Sequence, residues 1–161
     1  MEASKKSLCA KIVLKQSLLF ATLGLLAAFL LLALMGVTQG ILFNGKFEIQ
    51  GAIFVGVVAL YAAAYSLGMV ASDIVCRIGI KDPIIWLLGV GLAWSCLLIS
   101  ILSGSMVNFL ASMENPPDIA KAFAGYIVAP VFWVMLFGGI PALGLGLLYA
   151  ARVKKLLAEF E

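Results

Sequence analysis

Asp73 and Arg77 stand four residues apart inside an apolar stretch. On a helix that spacing places an acid and a base one turn apart, in the favourable order of signs. A carboxylate there could take up a proton or a cation, or it could form an interfacial ion pair that sets the depth of the helix. The pair lies near the end of its stretch, which favours the second reading; acids that carry transport sit deep in the hydrocarbon, where burial costs most. A second group, Ser100, Ser103 and Asn108, is polar within another apolar run. Ser100 and Ser103 are near neighbours on one helix face, with Asn108 further along. They could line a water-filled path if several copies ring together, although such hydroxyls more often bond to their own helix or a neighbour.

The rest of the inventory argues against catalysis. The chain has no histidine, and so lacks the usual axial ligand of haem, the commonest zinc ligand and the usual general base of hydrolases. No second acid lies opposite Asp73 to make an aspartyl dyad, and no glycine-rich phosphate loop leads from a strand into a helix. Cys9, Cys76 and Cys96 are scattered and form no CxxC pair. They read as small apolar residues rather than as a disulfide framework or a redox motif. The expectation is a protein that is not an enzyme and carries no cofactor or metal.

Composition explains what must position these residues. Of the 161 residues 64% are hydrophobic and 12% are charged, with a mean hydropathy of +1.15. Soluble domains carry about 25% charged residues, and a small soluble fold has too much surface to hide this much apolar area. The solvent is therefore read as lipid. Four runs, 17–38, 51–75, 83–109 and 126–151, can each cross about 30 Å of hydrocarbon as a helix. Helix is required because lipid offers the backbone no partners, and the alternation of a membrane β-barrel is missing. The fold class expected is an all-α, four-span membrane domain of two helical hairpins covering 1–161. The first run is too long for the apolar core of a cleaved leader, and reads as a span.

Basic residues set the orientation. Lys5, Lys6, Lys11, Lys15, Arg77, Lys81, Arg152, Lys154 and Lys155 fall on one side of the four spans, against Lys46 and Lys121 on the other. The positive-inside rule then puts both termini in the cytoplasm, as in a plasma (bacterial inner) membrane. The same placement accounts for the net charge of +3 without nucleic acid as a partner.

Local signals mark the ends. Asp82-Pro83 supplies a cap and a proline at a helix start. Asn115-Pro116-Pro117-Asp118 breaks the chain before a short approach carrying Ile119, Phe123 and Tyr126. Asn44-Gly45, flanked by apolar residues, predicts a small outer β-hairpin over 41–49. Leu8, Ile12 and Val13 among lysines suggest an interfacial helix leading into the first span. Pro141 inside the last run leaves the Phe137 carbonyl without its donor and is expected to bend that helix.

Small residues form the clearest pattern. Gly138, Ala142 and Gly146 are spaced by four on the last span, and Gly89, Ala93 and Gly104 lie along the third. In lipid, helices associate through such close-approach faces. The expected partners are the bilayer and either other membrane subunits or copies of the chain itself. A non-catalytic subunit of a larger transport, secretion or respiratory assembly fits best, with a homo-oligomeric channel or small-solute transporter as the alternative.

Overall fold

The computed structural model describes residues 2–34, 47–78, 83–113 and 118–159. They form four long helices: α1 (Glu2–Leu34), α2 (Phe47–Ile78), α3 (Ile84–Ser112) and α4 (Ile119–Ala158). Each contains a window long and apolar enough to cross a membrane, as expected of a multi-pass membrane protein. Consecutive helices pack against one another, and α4 closes on α1. The α2–α3 and α3–α4 contacts are the most extensive.

The helices start and stop for local reasons. Pro83 occupies the N-cap position of α3, where its lack of an N–H costs nothing, and its carbonyl accepts from the Trp86 amide at 3.0 Å. Asp118 caps α4 by accepting from the Ala120 amide at 3.2 Å. Just ahead of Pro130, α4 widens into a π turn over Ala124–Val128, and the Ala129 amide reaches back to the Ala124 carbonyl. Proline can neither donate to the carbonyl four residues back nor tolerate its crowding. A wider turn immediately before Pro130 relieves both constraints. Pro141, by contrast, sits within an uninterrupted α-helical stretch, Ala129–Ala158.

Two expectations are corrected. Phe47–Ile49, needed for the second strand of the hairpin over 41–49, are helical and form the first turn of α2; no strand occurs among the described residues. A lone two-stranded hairpin is barely stable, whereas these residues extend a long apolar helix with no breaker between them. The remainder of that segment, 41–46, lies outside the described residues.

The N-terminal segment, expected as a helix leading into the first span, is helical from Glu2 onward. It runs straight into α1, and Val13 is fully buried against Ala71, Val75, Ile85, Tyr149, Ala150, Val153 and Leu157. The core is thus densest at the end of the bundle that carries the termini. Secondly, Cys9 and Cys76 are not simply small apolar residues. They are joined by a disulfide that ties α1 to the end of α2, with Cα atoms 6.2 Å apart; Cys96 is free and buried.

Candidate functional site

Glycines bring the helices close enough to shape an interior. A Cβ at Gly146 would lie 2.7 Å from the Gly89 carbonyl oxygen and 2.7 Å from Val90 Cα. A Cβ at Gly89 would in turn collide with the Gly146 carbonyl. Here α3 and α4 meet backbone to backbone. Gly104 does the same for α2 and α3, facing the Ala52 carbonyl oxygen at 2.9 Å.

Beside the Gly89–Gly146 contact the helices diverge around a cavity of about 190 Å³. Its walls are Ser17, Phe20, Gly24 and Ala28 of α1, Ala93, Cys96 and Ser100 of α3, and Gly138, Ala142 and Tyr149 of α4; Leu60 comes from α2. From Ser17 to Ala28, Gly89 to Ser100 and Gly138 to Tyr149 the rise is about 16 Å each. The cavity is therefore a slot running along the bundle, floored by small side chains. Its lining is almost wholly apolar.

Polar groups stand at its ends and are already engaged. The Ser17 hydroxyl donates to the Val13 carbonyl at 3.0 Å and lies 3.3 Å from Tyr149 Oη. The Tyr149 ring meets Phe20 edge to face, with centroids 5.8 Å apart. Ser17 also presses on α2, where a Cβ at Gly68 would come within 2.8 Å of its hydroxyl oxygen. At the far end the Ser100 hydroxyl donates across to the Gly56 carbonyl at 2.8 Å. Next to Ser17, Gln16 is buried, and its Oε1 accepts no hydrogen bond among the described residues. An orphaned acceptor of this kind costs about 1–3 kcal/mol.

The residues singled out in the sequence separate in space. Ser100 reaches the slot, whereas Ser103 and Asn108 are half-buried on α3 outside it. Asp73 and Arg77 form an ion pair at 2.6 Å, with side chains 47% and 69% exposed, also outside the slot. At that exposure a pair contributes little stability. Among the small residues, Gly104 faces α2, Gly89 and Gly146 form the closest contact, and Gly138, Ala93 and Ala142 line the slot.

Two features escaped sequence reasoning. The Ser17–Tyr149 contact joins opposite ends of the chain, and no local pattern announces it. The Cys9–Cys76 bond had a usable signal: both cysteines fall at the same end of neighbouring antiparallel spans. Among the described residues no cluster of three or more His, Cys, Asp or Glu could hold a metal ion. Comparison with known protein families, curated proteins and solved structures finds no match.

Proposed function

We propose that the chain is a non-catalytic subunit of a larger membrane assembly in a bacterial inner membrane, with both termini cytoplasmic. The observation that supports this most is an aromatic ridge on the outside of α4. Phe132, Trp133, Phe137 and Ile140 are all exposed. Trp133 stacks on Phe137 at 5.7 Å and meets Phe132 edge to face at 5.5 Å. Rings locked against one another lose little entropy on docking, which is why aromatic anchors dominate interface energetics. Gly89, Gly104 and Gly146, meanwhile, are engaged inside the bundle, so a partner would meet the ridge rather than these close-approach faces.

Native mass spectrometry after mild extraction tests the reading. The expected result is a complex with at least one other chain. Trp133→Ala combined with Phe137→Ala is expected to release that chain while the monomer keeps its wild-type melting temperature. A lone monomer under gentle conditions would end the proposal.

The slot favours a second reading, a small-solute transporter, because an interior cavity ending at Ser17 and Ser100 offers the start of a path. On that reading, purified protein in liposomes moves a solute or ion, and Ser100→Leu or Asp73→Asn alters the flux. Flux no greater than that of empty vesicles, over several ions and pH values, would remove it.

A further inference from the structure

We infer that the slot between α1, α3 and α4 is a binding site for the tail of one phospholipid acyl chain, drawn from the bilayer around the bundle. This rests on the bundle standing in a bilayer, and not on the identity of any protein partner. Four observations carry it.

The first is volume. An apolar cavity of about 150 Å³ holds one benzene-sized molecule and stays dry when empty. By the same scale, the 190 Å³ slot takes about seven or eight carbons. Shape is the second. The lining residues run about 16 Å along each of three helices, so the space is elongated along the bundle, as a linear chain is. Thirdly, the polar groups are spoken for. Ser17, Tyr149 and Ser100 hydrogen-bond within the protein, so a hydrated or charged ligand would lose its water without finding partners.

The opening is the fourth. Ala28 lines the slot and is exposed. It lies within the apolar stretch of α1, Ser7–Leu30, so an opening beside it would face hydrocarbon and not water. A chain threading in beside Ala28 would place its methyl end toward Tyr149. Occupancy would restore the dispersion contacts that an empty apolar void forfeits.

The experiment compares wild type with Ala93→Leu, whose added carbons project from the slot wall. Both proteins are extracted mildly and examined by native mass spectrometry, with collisional activation raised until loosely held lipid is stripped. Wild type is expected to retain one phospholipid. Ala93→Leu is expected to retain none, with an intact Cys9–Cys76 bond and a melting temperature no lower than wild type. A wild type retaining no lipid, or a variant retaining it equally, overturns the assignment. A retained fatty acid, isoprenoid or ring-bearing molecule overturns the phospholipid.

Cys96 gives a second readout that needs no variant to fold. Its thiol is buried on the slot wall. Stripping lipid from wild type is expected to speed its alkylation by N-ethylmaleimide about fivefold or more, and adding back phospholipid to reverse this, as mass action requires. A rate indifferent to lipid counts against the site.

Discussion

Replacing Gly146 by leucine is expected to separate α3 from α4 and to cost more than about 3 kcal/mol, at the upper end of overpacking penalties. The atoms that a Cβ would meet are the Gly89 carbonyl oxygen, Val90 Cα and the Gly89 carbonyl carbon, at 2.7, 2.7 and 3.0 Å. All three belong to the backbone of α3 and cannot rotate aside. Only a shift of the whole helix makes room. That shift opens the contact on which an α-helical pair in lipid most depends, since burying apolar surface drives little association there. It also enlarges the slot and pulls Tyr149, one turn away, from Ser17. Gly144→Leu is the matching control, because nothing lies within 4 Å of a Cβ there. Thermal melts in a single detergent should show Gly144→Leu close to wild type and Gly146→Leu lower by about 6 °C or more, on the usual scaling for a chain of this size. If the two variants melted together, the backbone contact would not be what holds α3 to α4.

The same contact shows how far the residues could be read unaided. Helix number and type followed from the apolar runs, since hydrocarbon leaves a backbone one option. Boundaries were poorer for a physical reason: hydropathy reports what lipid would cover, not where a helix ends. Lysines are good helix formers, and neither glycine nor proline interrupts the chain before Gly24. α1 therefore begins at Glu2, well ahead of its apolar run. The hairpin over 41–49 was a strong local pattern set against a longer one, and Phe47–Ile49 went with the helix.

For the site, spacing marked Gly89, Ala93, Ala142 and Gly146 as small, but could not divide them. Whether a small side chain admits a backbone or leaves a space depends on what the neighbouring helix presents. Opposite Gly146 is a glycine backbone, and the helices touch. Opposite Ala93 and Ala142 they stand apart, and the slot remains. Ser100, Ser103 and Asn108 shared a run, yet their roles were set by depth and by α2. Only Ser100 faces the Gly56 carbonyl.

The second large effect concerns the Cys9–Cys76 bond, and here two physical arguments pull against each other. The bond spans 67 residues, and in the chain-entropy account such a loop is worth about 4 kcal/mol. Spans that remain inserted when the bundle loosens are already restrained, so the gain should fall to about 1–3 kcal/mol. Purified protein with Cys9→Ser and Cys76→Ser is therefore expected to melt several degrees below the oxidised wild type. An equal melt would mean that α1 and α2 are held by packing alone. In the cell the case differs. The basic residues around this end argue for the cytoplasmic face, where glutathione and thioredoxin keep thiols reduced. Cys9 packs against the core that contains Val13, Ala71 and Val75, so the two sulfurs would stay adjacent with the bond open and close readily on oxidation. Acid-quenched, alkylated cells should thus show both thiols free, and isolated membranes given a mild disulfide oxidant should show them joined. A bond already closed in quenched cells would leave the structure intact and overturn the proposed orientation, placing the termini on the oxidising side despite their lysines.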